Sequence, residues 1–212
     1  MRRWCRGLGV LAALLGGATF AQDVTPELPN GVFLVAKPEL TDPNFAQTVV
    51  LVTLPAGGRG AATGVILNRP LGRKLSEFLP DAANLPPEAD ALYAGGPVER
   101  AHLYMLVQAP AAPPASFPVL DDVYLTTSPE ALKELMAGRL PGATLRVYAG
   151  YAGWAPGQLQ AEVARGSWWL VPADAARIFT TQPETLWEEL VRAQREKHAG
   201  APPLPASLAT MR

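Results

Sequence analysis

TLRVYAGYAGWAPGQLQAEVARGSWWLVP, residues 144–172, is the stretch that decides the fold. Its first part, TLRVYAGY (144–151), is apolar, aromatic and β-branched, and reads as a strand. A short helix follows over 156–166, with Leu159 and Val163 one turn apart. SWWLVP (167–172) reads as another strand. In this reading Gly150 and Gly153 bracket a tight strand-to-helix connection. Trp154 packs under the helix, whose first turns carry Gln158, Leu159 and Glu162. The corner has two readings. It defines the fold, or its helix N-terminus forms the edge of a ligand site, since such ends favour anions.

Upstream, GVFLVA (31–36), TVVLVTL (48–54) and TGVILN (63–68) are short apolar runs that predict buried strands. GGRGAATG (57–64) has the glycines of a phosphate cradle. It leads into a strand rather than a helix and lacks Gly-Lys-Ser/Thr, so it reads as a hairpin connection. Arg69-Pro70 stops the third strand, KLSEFL (74–79) predicts one or two helical turns, and 80–90 predicts a loop. ALYAGGPVER (91–100) holds a short strand and a Gly-Gly-Pro turn. HLYMLVQ (102–108) and VYLTT (123–127) are further strands, separated by a proline-rich surface loop. Ser128-Pro129-Glu130 is a well-formed helix start, and Gly138 a natural stop. The clearest helix is 183–197, with Leu186, Trp187, Leu190 and Val191 in one stripe. Strands outnumber helices and are mixed with them. That predicts one domain of the α+β or mixed α/β class.

The 212 residues are 49% hydrophobic and 17% charged, enough for a well-buried core. The net charge of −1 offers none of the cationic surplus that phosphate binding requires, so nucleic acid is not an expected partner. The N-terminus has Arg2, Arg3 and Arg6, an uncharged run over 7–18, then Thr19-Phe20-Ala21. This is the pattern of a secretory signal peptide, with cleavage expected after Ala21. The expected organisation is a signal peptide over 1–21, a folded domain over 22–197 and a flexible tail over 198–212. Cleavage would remove Cys5, the only cysteine, and leave no disulfide and no transmembrane helix. The expected location is the periplasm, the cell envelope or the medium.

Catalytic signals are sparse. The histidines are His102, expected as a partly buried structural residue at a strand start, and His198 in the tail. No serine sits in a Gly-x-Ser-x-Gly elbow. Asp121-Asp122 reads as a solvated turn, and no calcium-loop pattern is present. The expectation is no catalytic set, no metal and no cofactor.

Four segments carry a resemblance. They are AKPELTDPNFAQTVVLV (36–52), TGVILNRPLG (63–72), YAGGPVER (93–100) and 148–173. In this order and spacing the chain resembles the YqgE/AlgH family over about residues 31 to 195. The positions that match the family's pattern are Pro38, Asp42, Pro43 and Phe45, then Asn68 and Pro70, then Gly95, Gly96 and Pro97. In the last segment they are Gly150, Trp154, Gly157, Gln158, Leu159, Glu162 and Trp168. The resemblance implies a single compact domain with a folded, barrel-like mixed β-sheet and flanking helices. It brings no catalytic residues. It does bring an old label as a transcriptional regulator, which fits poorly with an exported chain.

Read physically, Asp42 turns the chain before Pro43, and Phe45 anchors that turn. Asn68 caps backbone groups, Arg69 pairs with a carboxylate or an anion, and Gly95-Gly96 permits positive φ and close backbone approach. If a ligand pocket exists, it is expected where Asn68, Arg69, Gly96, Trp154 and Gln158 converge. The expected function is non-enzymatic binding of a protein or small-molecule partner outside the cytoplasm. The alternatives are a cytoplasmic regulator, or an unrecognised enzyme using Asp42 or Glu162 as acid or base.

Overall fold

A run of four or five apolar residues without polar alternation suits a strand covered on both faces. Val32–Ala36 (β1) and Val49–Thr53 (β2) are such strands, buried at every position. The structure is a computed structural model and describes residues 31–53 and 61–199. The expected signal peptide, most of the glycine-rich turn and the residues from 200 onward lie outside the described residues.

Eight further strands follow. They are Ala62–Ile66 (β3), Pro70–Lys74 (β4), Ala91–Ala94 (β5), Val98–Gln108 (β6), Ser116–Pro118 (β7), Val123–Thr126 (β8), Thr144–Trp154 (β9) and Trp168–Pro172 (β10). The helices are Pro87–Asp90 (α1), Pro129–Met136 (α2), Gln158–Ala164 (α3), Ala175–Ile178 (α4) and Leu186–Ala199 (α5). The main sheet order is β10-β1-β2-β3-β9-β6-β8-β7, with β5 also on β9 and β4 on β5. Most pairs are antiparallel, but β5 runs parallel to β9. The fold is a single α+β domain whose mixed sheet curls into a half-barrel flanked by helices.

β9 is the hub. Residues 144–149 pair with β6, residues 147–149 also pair with β5 on the other edge, and residues 152–154 pair with β3. Gly150, at φ 74°, sits where the strand changes partners. Side-chain alternation then divides the core. Phe33, Leu51, Leu106 and Tyr148 face one cluster closed by α4 and α5. Leu34, Val50, Ile66 and Trp154 face another, closed by Leu159 of α3. Met105, Val107, Leu145 and Val147 pack under Leu132 and Leu135 of α2.

Several local expectations need correction. The third strand ends at Ile66, before Arg69-Pro70, the backbone bends at 67–68, and Pro70 opens β4 rather than stopping a strand. The expected helical turns at 74–79 reduce to a 3-10 turn over Leu75–Glu77. The expected loop at 80–90 holds a 3-10 turn over Pro80–Asn84 and α1. β6 starts four residues earlier than expected, at Val98 rather than His102. Gly150 and Gly153 lie within β9 and do not bracket a strand-to-helix connection. The positive φ of Gly150 makes a kink inside the strand. α5 buries Leu186, Leu190 and Val191 as its stripe predicts, and continues to Ala199.

Candidate functional site

The first motif segment folds as a tight turn. Asp42 Oδ1 accepts the Asn44 N–H at 2.7 Å, and the Asp42 carbonyl accepts those of Phe45 and Ala46. The second segment holds this turn from behind. Asn68 Oδ1 accepts the Val49 N–H at 2.8 Å, and its Nδ2 donates to the Gln47 carbonyl at 2.9 Å. Arg69 Nη1 donates to the Asn44 carbonyl at 2.7 Å, and Nη2 to the carbonyls of Ala46 and Pro43. Arg69 is therefore a clamp on backbone oxygens and not the ion-pair partner the sequence suggested. Partial burial lowers its pKa, and Asp42 opposes that shift. Arg69→Lys should cost about 1–2 kcal/mol, because an ammonium cannot reproduce the planar fork. Thermal denaturation reads this directly, and an unchanged melting temperature would show the clamp to be idle.

The third segment is tied to both neighbours. Ala94 N–H donates to the Arg69 carbonyl, Ile66 N–H to the Gly95 carbonyl, and Gly95 N–H to the Ala149 carbonyl. A Cβ on Gly95 would lie 2.2 Å from the Gly150 carbonyl oxygen. One on Gly96 would lie 2.1 Å from the Tyr151 carbonyl carbon. Close backbone approach explains both glycines. Positive φ does not, since neither adopts it. Pro97 follows on the wall of a surface cleft of about 270 Å³. Asn44, Ile66, Arg69, Leu71, Gly96 and Arg100 also line that cleft, together with Ala94 and Ala149.

Trp154 and Gln158 belong to a separate cluster. Glu162 Oε2 accepts the indole N–H of Trp154 and of Trp168, each at 3.0 Å. Its Oε1 accepts from Gln158 Nε2 at 2.9 Å. Gln158 Oε1 in turn accepts the Ala155 N–H, while Gly157, at φ 79°, opens α3. Phe45 stacks on Trp154 and meets Trp168 edge-on, each at 5.7 Å, and Leu159 fills the floor. Glu162 is thus the centre of a corner that joins β9, α3 and β10.

Of the expected five-residue pocket, the structure brings Arg69 and Gly96 to the cleft. Asn68 braces the turn beside it, and Trp154 and Gln158 do not line it. Pro38 is exposed near Trp187 of α5, and Pro70 pairs with Tyr93. Leu71 and Arg100 were not expected at the cleft. Each is a single exposed residue without a pattern, and only the sheet topology brings them together. His102 is 72% exposed, with Nδ1 3.6 Å from a Glu99 carboxylate oxygen, so it is not the partly buried structural histidine expected. The nearby Tyr104 hydroxyl also donates to Glu99, and desolvation first, then Glu99, push its pKa up to about 12.

The AlgH-like family model, DUF179, matches residues 33–199. The chain belongs to the AlgH-like family. A UPF0301 protein of Methylococcus capsulatus is 36% identical over 188 residues, covering 84% of this chain and 98% of that protein. The UPF0301 protein AlgH of Pseudomonas aeruginosa is 38% identical over 159 residues, covering 72% and 81%. The solution structure of the Pseudomonas AlgH protein superposes with a TM-score of 0.62 at 31% identity, covering 86% of this chain and 93% of that one. A crystal structure of a Corynebacterium diphtheriae protein shares the fold, with a TM-score of 0.66 at 23% identity, covering 87% and 93%. The AlgH-like match spans all four motif segments.

Proposed function

We propose that this AlgH-like protein is a non-enzymatic binding protein acting outside the cytoplasm, and that its protein or small-molecule partner seats at the Arg69–Gly96 cleft. One observation carries the reading. All four motif segments contribute to the same cleft: Asn44 from the first, Ile66, Arg69 and Leu71 from the second, Gly96 and Arg100 from the third, and Ala149 from the fourth. Leu71, 44% exposed, offers an apolar contact, and Arg100 an exposed cation. The fixed roles of Asp42 and Glu162 support a binding function over acid–base chemistry, since both carboxylates accept bonds from nearby N–H groups. The basic, then apolar N-terminus supports export.

Two experiments test this. A ligand screen followed by NMR should shift the amides of Leu71, Gly96 and Arg100. Leu71→Asp and Arg100→Glu should abolish binding while the melting temperature holds. Ligands that shift only other regions would overturn the site, and a turnover lost in Asp42→Asn or Glu162→Gln would overturn the non-enzymatic reading. Fractionation and N-terminal sequencing should find a mature start at Gln22 outside the cytoplasm. An intact chain in the cytosol would restore the regulator.

A further inference from the structure

A second cavity lies between α2, the 84–89 segment and the start of β9. It has a volume of about 580 Å³ and shares no lining residue with the motif cleft. Its apolar walls include Leu85, Leu135, Met136, Leu140, Leu145 and Phe179. Its size is ordinary for a small-molecule site.

Arg146 also lines this cavity, where β9 pairs with β6 and the β5 pairing has not yet begun, and it is only 3% exposed. Its Nη1 donates to the Ile178 carbonyl at 2.8 Å and its Nη2 to the Thr180 carbonyl at 2.5 Å. The guanidinium lies 4.8 Å from the Tyr93 ring centroid. Phe179 and Thr181, which alternate with those carbonyls, line the cavity, so the segment that holds the guanidinium forms part of its wall. Arg146 Nε and the Tyr148 hydroxyl complete no hydrogen bond among the described residues, although the two side chains lie close enough for Arg146 to oppose the effect of burial on the hydroxyl. Full burial raises the pKa of that hydroxyl, so it remains a neutral donor. No carboxylate among the described residues forms an ion pair with Arg146.

Buried cations are ordinarily matched by an acid, because carbonyl dipoles and a ring face solvate the charge without neutralising it. Here the cation is buried, has no carboxylate partner among the described residues and borders an apolar cavity. We propose that this cavity binds an amphiphilic monocarboxylate, with the acid group on Arg146 and the apolar body passing Phe179 to reach Leu135 and Leu140. Glu88, an exposed acid on the same cavity, disfavours a ligand with a second negative charge.

The test titrates the full chain with decanoate and with decanol, followed by calorimetry and amide NMR. Decanoate should bind and shift Leu135, Leu140 and Arg146. Decanol, which lacks the charge, should bind at least about tenfold more weakly. Arg146→Met should erase that preference. If this variant fails to fold, Thr144→Trp gives a second reading, because it places a large ring on the cavity wall from an exposed position. It should weaken decanoate by at least about tenfold. Leu71→Asp, at the other cleft, should leave decanoate binding unchanged, which separates this proposal from the one above. The inference is overturned if decanoate does not bind, if decanol matches it, if folded Arg146→Met or Thr144→Trp binds decanoate as wild type does, or if the shifts fall only on the motif cleft.

Discussion

Gly96→Ala should leave the chain without a stable native state. Its Cβ would lie 2.1 Å from the Tyr151 carbonyl carbon, 2.2 Å from its oxygen and 2.4 Å from the Ala152 nitrogen. All three atoms are backbone of the hub strand, so no side-chain rotation relieves the contact. The chain must separate at the junction where β9 meets β3, β5 and β6, the site of three pairings. A cost above about 4 kcal/mol is expected, a large share of a domain's total stability. Gly72→Ala is the control. It has φ 65° but nothing within 4 Å of the new Cβ, so it should cost only about 1 kcal/mol of backbone strain. Circular dichroism of the two purified variants checks the contrast. A cooperative, wild-type melt for Gly96→Ala would show that the hub strand yields more easily than its packing indicates.

Glu162→Ala should be the most damaging side-chain truncation in the motif. It removes the acceptor of two indole N–H groups on tryptophans that are 2% and 3% exposed, and it releases Gln158. Each buried donor left unpaired costs about 1–3 kcal/mol, which gives roughly 3 kcal/mol in all. For a domain of this size the melting temperature should fall by about 6–12 °C. Glu162→Gln keeps one acceptor oxygen and should fall between wild type and alanine. In a Trp154→Phe, Trp168→Phe background, Glu162→Ala should cost much less, because the orphaned donors are gone. Equal costs in both backgrounds would place the role of Glu162 elsewhere.

The strongly apolar strands were legible because each fills two faces of a core. β1, β2, β3 and β10 appear near where their runs predict, and α2 and α5 are marked by a cap and a stripe. β4 was not legible. All five of its residues are exposed, so no burial pattern marks it, and backbone pairing with β5 defines it. Gly150 was misread because a glycine between aromatics implies a turn, while here it kinks a continuous strand. In the site, the motif located Arg69 and Gly96 but could not separate the cleft from the Glu162 corner. Both draw on the same turn, through Asn44 on one side and Phe45 on the other. Arg146 stood in plain view as a cation in an apolar strand. The meaning of its position depends on a cavity that only the packing of α2 against β9 creates.

The pairing of β1 with β10 also bears on how the chain is made. Val32 lies opposite Pro172, and the Trp187 indole donates to the Ala36 carbonyl across 151 sequence positions. The first strand therefore waits for the last before its outer edge is covered. Contacts this distant in sequence slow folding, since loop-closure entropy is lost before they form. At about 5–20 residues per second, the ribosome takes seconds to deliver the second partner of β1 after the first. In that interval β1 has one edge covered by β2 and the other still open. The order of synthesis thus delays closure until the C-terminal third has emerged.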